Sequence, residues 1–170
     1  MYDCKYIGKI LQQASPQATA SITGSKKAKN LRGRVAFYDI GNAVLVSTSL
    51  SGIPYRNGYC QYPVLGLHIH QGRSCSGNRE DPFAAAGSHY NPHDCPHPNH
   101  AGDLPPVFVN EGMAWSAVIL TKFTIKEILG RVVILHSMPD DFHSQPSGDA
   151  GEMIACGEII SWSPDFCRRD

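Results

Sequence analysis

"GRVAFYDIGNAVLVSTSL", residues 33–50, decides the fold class. Val35 and Phe37 fall on one face of its first half, and Val44, Val46, Thr48 and Leu50 on one face of its second. An apolar period of two marks a strand with one side turned to a core. Gly41-Asn42 between the halves is a turn signal. Working outward, residues 18–23, 64–70, 113–120, 131–136 and 153–160 are further strand candidates. Gly52-Ile53-Pro54, Gly112, Gly130 and Gly151 punctuate them. The one helical candidate, TIKEIL at 124–129, reads as a short turn. Seven or eight short strands with turns between them predict an all-β antiparallel sandwich or barrel. Two long irregular stretches, 71–111 and 137–151, interrupt the pattern, and loops of that length in a small domain usually carry function.

The bulk numbers exclude several classes. A length of 170 residues suits one domain, with 1–15 and 161–170 reading as extensions. Fifteen basic and fifteen acidic residues cancel, which gives no basic footprint for nucleic acid. No apolar run approaches the ~18 residues that a membrane helix needs. The N-terminal MYDCKYIGKILQQ holds only Ile7, Ile10 and Leu11 as scattered apolar positions, so no signal-peptide core is visible and a cytoplasmic location is expected. Six cysteines leave both disulfides and free thiols open, the reducing compartment favouring thiols.

Histidine is where the chain departs from the ordinary. Residues 68–100 hold six of its eight histidines. In GLHIH, 66–70, alternation puts His68 and His70 side by side on one face, with Leu67 and Ile69 turned to the core. Two neutral imidazoles so placed are a ready pair of ligands for zinc, copper, iron or nickel. The loop beyond adds His89, His97, His100 and Asp103, three imidazoles and a carboxylate, the count of a tetrahedral zinc site. HPNH and HAGD each bring two of these groups across one tight turn. His136 ends RVVILH and is followed by Asp140-Asp141, and a carboxylate beside a ligating imidazole commonly fixes its tautomer.

Taken together, GLHIH, AAGSHYNP with HAGDLP, VVILHSMPDD and GDAGEMIACG resemble the copper/zinc superoxide dismutase family, over about Gly33 to Gly157. The resemblance implies a Greek-key antiparallel β-barrel of about eight strands with two long functional loops. It implies copper on His68, His70, His89 and His136, and zinc on His89, His97, His100 and Asp103. His89 would be shared between the metals, and Asp140 would link a copper histidine to a zinc histidine. His89 and His136 stand as the catalytic pair. His93 and His143 match no family ligand. Cys75 and Cys156 match the family's intrasubunit disulfide. For the other cysteines we expect Cys4 with Cys167 and Cys60 with Cys95. A homodimer is possible.

The implied reaction is disproportionation of superoxide to dioxygen and hydrogen peroxide. Two features predict a slow version of it. Met153 stands where the family carries an active-site arginine, and a thioether offers an anion neither charge nor a hydrogen-bond donor. Residues 137–152 contain three Asp and one Glu but no Lys or Arg. Steering by positive potential raises on-rates by ~10 to 1,000-fold, and this loop cannot supply it. Arg73, Arg79, Arg131 and Lys122 are the cations left to do so. The rival reading is a non-catalytic copper and zinc binding or storage protein, favoured by the soft Met153 sulfur and disfavoured by the intact copper set. Zinc hydrolysis is the weakest reading, because a closed His3Asp site has no open position.

Overall fold

The alternation seen in the sequence is realised as paired strands. The computed structural model describes residues 4–54 and 64–163 of the chain. In chain order these form α1 (Cys4–Gln13), β1 (Ala18–Gly24), β2 (Arg32–Asp39), β3 (Val44–Ser51), β4 (Val64–Leu65), β5 (Leu67–His70), β6 (Val107–Phe108), β7 (Ala114–Leu120), α2 (Ile125–Ile128), β8 (Val132–His136) and β9 (Met153–Ser161). Seven strands make one antiparallel sheet in the order β5-β8-β9-β1-β2-β3-β7, and β4 pairs with β6 in a second, smaller one. The large sheet curls into a half-barrel. β6 contacts β7, and β4 runs into β5 through Gly66, so the small sheet bridges the two edges of the large one. The fold is thus the all-β barrel-like one expected.

Period two decides what fills the interior. Val35 and Phe37 of β2, Val44, Val46 and Leu50 of β3, Leu67 and Ile69 of β5, and Val133 and Leu135 of β8 share one core with Ala20, Ile22 and Ile159. Burying a side chain of this size contributes about 1.5–3 kcal/mol. The predicted strand 64–70 is divided at Gly66, where the chain leaves one sheet for the other while its N–H and carbonyl bond Met138 and His136. The sequence also leaves β6 inside a stretch read as irregular. α2 is a single turn, as TIKEIL suggests, closed by a capping box between Thr124 and Glu127.

Within the N-terminal stretch read as an extension, Cys4–Gln13 forms the helix α1. Ile7, Ile10 and Leu11 lie at helical spacing and pack α1 against Ala36, Tyr38, Ile40, Ala43 and Leu45, on the outer face of β2 and β3. At the other end Ser161 still belongs to β9, and the Trp162 N–H donates to the Gln17 carbonyl. Among the described residues no helix is long and apolar enough to cross a membrane.

The edge strand β5 positions the site. β8 pairs with only one of its sides, and an unpaired edge leaves backbone groups that need partners. The loop after β5 supplies them. Ile69 N–H donates to Gly102 O, Tyr90 N–H to Ile69 O, and Gln71 N–H to Ser88 O, all at 2.8–2.9 Å. Isolated bridges then match His70 with His89 and His68 with Asp103. The same loop is tied at Cys75 to Cys156 of β9, a disulfide with Cα atoms 5.7 Å apart that spans 81 residues. Closing a loop of that size stabilises the fold by ~4 kcal/mol in the chain-entropy account. Among the described residues Cys95 has no disulfide partner. Cys60, Cys167 and the Cys4 side chain lie outside those described, so both further pairings fall there.

Candidate metal centre

Two clusters of buried ligand groups share one residue. His68, His70, His89 and His136 each offer a ring nitrogen, and these atoms lie within 4.8 Å of one another. His89, His97, His100 and Asp103 form the second group by the same measure. Every member is buried. The residues singled out in the sequence are therefore brought together, whereas His93 and His143 are exposed and belong to neither cluster.

Hydrogen-bond partners decide which nitrogen each ring keeps free. A carbonyl or carboxylate only accepts, so the ring nitrogen facing it carries the proton. His70 Nδ1–H donates to Gly87 O at 2.7 Å and His136 Nδ1–H to Gly151 O at 3.2 Å, leaving both Nε2 atoms as lone pairs 3.3 Å apart. His68 Nε2–H donates to Asp140 Oδ2 and His97 Nε2–H to Asp140 Oδ1, each at 2.8 Å. One carboxylate thus orients a ring in each cluster. His68 Nδ1, His97 Nδ1 and His89 Nε2 are buried with no hydrogen-bond partner among the described residues. Leaving such an atom unsatisfied costs about 1–3 kcal/mol, and three together are the signature of a site completed by a cation. His89 Nδ1 meanwhile lies 2.7 Å from Asp103 Oδ1 and 3.4 Å from His100 Nδ1, while Asp103 Oδ2 is 3.1 Å from His97 Nδ1. Four imidazoles in the first cluster, and three with one carboxylate in the second, fit copper and zinc.

Electrostatics keeps these rings ready to bind. Burial, reinforced by the His89 and His136 rings, holds His68 far below the ordinary imidazole range. Burial likewise pushes His70 down to about 3 and His136 to about 4. Both are neutral at pH 7, with their lone pairs available. Burial raises the Asp103 carboxyl, but the hydrogen bond and charge of His89 outweigh it and hold it below the usual value.

Three further residues support the site, and of these the sequence reading named only Lys122, as a steering cation. Lys122 donates its ammonium to the carbonyls of Pro98, His100 and Asp103 at 3.2–3.3 Å, which fastens the loop of the second cluster. Gln145 clamps His97 by its backbone, accepting from the N–H at 3.0 Å and donating to the carbonyl at 2.8 Å. Gly148, at φ 68°, must be glycine because a Cβ there would strike Asp140 Oδ1. The pattern offers no signal for the Lys122 and Gln145 contacts, which join segments far apart in the chain, and the Gly148 approach to Asp140 depends on how their shared loop folds.

A cavity of about 650 Å³ opens onto His70, His89, His100 and His136. Met153 lines it and is the β-ladder partner of His136. Arg79 is at its rim, as the sequence allowed, but the other cations there are Lys26 and Lys27, from the turn between β1 and β2. Lys122 is committed to the loop carbonyls, and Arg131 stacks 3.7 Å over the Tyr90 ring while donating to Gln71 O. Glu80, Asp81 and Glu152 share the rim.

Comparison with known proteins agrees with this geometry. A family model described as copper/zinc superoxide dismutase matches residues 31–159. A copper/zinc superoxide dismutase of Photobacterium leiognathi is 37% identical over 108 residues, covering 55% of this chain and 62% of that protein. One from Aquifex aeolicus is 30% identical over 142 residues, covering 75% of this chain and 78% of the relative. The extracellular enzyme of Rattus norvegicus is 29% identical over 137 residues, covering 74% and 53%. With the family's span matched over both loops and most of the strands, the chain belongs to the copper/zinc superoxide dismutase family.

Proposed function

We propose that this protein is a superoxide dismutase, with copper on His68, His70, His89 and His136 and zinc on His89, His97, His100 and Asp103. The observation that carries the reading is the His89 ring, which turns Nδ1 to the second cluster and an unpartnered Nε2 to the first. Bound copper supplies one-electron exchange with the anion, while zinc has no redox chemistry and supplies charge and geometry. The rest is done by the chain. The Gly87 and Gly151 carbonyls fix the tautomers of His70 and His136, so both present Nε2. Asp140 holds the rings of His68 and His97 in register with each other. His89 Nε2, buried without a hydrogen-bond partner among the described residues on a ring that lines the cavity, is the atom at which the chain would hold a proton and give it up to the product. His136 lines the cavity by which the anion enters.

The same residues support a slow enzyme. Met153, on our reading the residue in the position of the family's arginine, lines the cavity, and the rim sets Lys26, Lys27 and Arg79 against Glu80, Asp81 and Glu152. A balanced rim focuses little positive potential, so the rate and its salt dependence fall below those of well-charged relatives. Loading the protein with copper and zinc, confirming the metal content and following superoxide decay at low and high salt tests the proposal. Decay that tracks copper occupancy supports it. Full occupancy without decay sinks it and leaves a metal-binding store, the reading favoured by a soft thioether paired with His136.

A further inference from the structure

The chain has four methionines, of which Met113, Met138 and Met153 are described. Met113 and Met138 are 57% and 52% exposed, and neither lines the cavity. Met153 is half-buried, packed against the cluster of Phe83, Val132 and Cys156, and lines the cavity together with His70, His89 and His136. Its Cα is the ladder partner of His136 at the point where the β8–β9 register shifts. A thioether is an oxidisable nucleophile, and here it is fixed on the wall of the space into which peroxide would be released.

We infer that Met153 is a peroxide-modified residue through which the product restrains the reaction. The inference rests on the dismutase reading above. The sulfur lone pair attacks one oxygen of hydrogen peroxide, the O–O bond breaks, and water leaves. Sulfur loses two electrons and becomes a sulfoxide, and the peroxide is reduced by the same two. The new S=O oxygen is a strong acceptor, so it turns the negative end of a dipole into a cavity that an anion must enter. Methionine sulfoxide reductase chemistry restores the thioether, which makes the change reversible.

The experiment compares two treatments of the copper- and zinc-loaded protein. One is a steady flux of superoxide with a peroxide scavenger in the bulk solution, and the other is a bolus of hydrogen peroxide. Superoxide decay is followed in the same vessel, and peptide mass spectrometry reads oxidation at each methionine. Under flux, Met153 is expected to gain oxygen roughly tenfold faster than Met113 and Met138, an advantage that exposure alone would reverse. In the bolus that ratio collapses, because bulk peroxide reaches the two exposed residues directly. Superoxide decay with no preference for Met153 overturns this inference alone, whereas absence of decay sinks the dismutase reading and the inference with it. Functionally, flux-treated protein should slow and recover on sulfoxide reduction, and Met153→Leu should keep its own starting rate. Equal slowing of Met153→Leu also overturns the inference.

Discussion

Lys27 Nζ lies 2.7 Å from Glu152 on the lining of the cavity that leads to the histidines, joining the β1–β2 turn to the residue before β9. Both side chains are largely exposed, so the pair adds at most about 1 kcal/mol to stability. Its effect on the approach of an anion is larger, because Glu152 cancels a cation at the rim. Glu152→Gln should therefore raise kcat/KM by a few-fold at low salt and steepen the fall of rate with ionic strength. Kinetics at two salt concentrations check this. An unchanged slope would mean that Lys27 does not contribute to the field in the cavity.

Met153→Arg is the complementary change. It places a guanidinium beside His136 on the ladder, on the wall that the anion passes. The side chain has an open cavity to enter, so the strain of overpacking is avoided. Catalysis should rise on the order of tenfold at low salt, the lower end of what steering provides. A variant that binds both metals and gains no rate would show that Met153 does not limit this protein.

Much of this arrangement could be read from the sequence, and its limits are physical. Period-two burial wrote the strands plainly, because Val35, Phe37, Val46 and Leu50 answer to one core. The two histidine clusters were legible because His68 and His70 alternate onto one strand face, and HPNH and HAGD each pair ligand groups across a tight turn. α1 was missed because Ile7, Ile10 and Leu11 are too few to define a face until Tyr38 and Leu45 receive them. Lys26 and Lys27 were missed for another reason. They reach the cavity from the far end of β1, and only the tertiary fold brings that turn beside Glu152.

The buried carboxylate of Asp140 accepts from His68 and His97 at once. Asn has one acceptor oxygen, and its NH2 would face the second ring N–H. Asp140→Asn should thus free one ring to change tautomer or tilt, lowering metal affinity by roughly 10–100-fold. Competition with a chelator measures this, and excess metal should return much of the lost activity. If affinity holds and activity alone falls, Asp140 acts on the reaction rather than on the ligands.

Replacing Cys75 and Cys156 together by serine tests the tether on the ligand loop. Loss of the link should cost ~4 kcal/mol and lower Tm by roughly 10 °C for a chain of this size. Thermal unfolding of the metal-free protein isolates that effect from the contribution of the ions. A shift of only a degree or two would mean that the loop's bonds to β5 already hold it in place.

Lys122 does a similar job for the second cluster without a covalent bond. Its ammonium has three protons and meets three carbonyls, those of Pro98, His100 and Asp103, so two of its partners are themselves candidate zinc ligands. Lys122→Met keeps the stem and removes every donor, leaving the loop that carries His97, His100 and Asp103 free to open. Zinc affinity should fall by about tenfold while copper affinity changes less, since His68, His70 and His136 lie on strands β5 and β8 and Lys122 bonds the second cluster's loop. Lys122→Arg, which keeps the charge and several donors, should recover part of the loss. Separate titrations of the two metals decide the matter: equal weakening of both would make Lys122 a general stabiliser of the fold, and no weakening would show that the loop holds its shape from His97, Gln145 and the bonds to β5 alone.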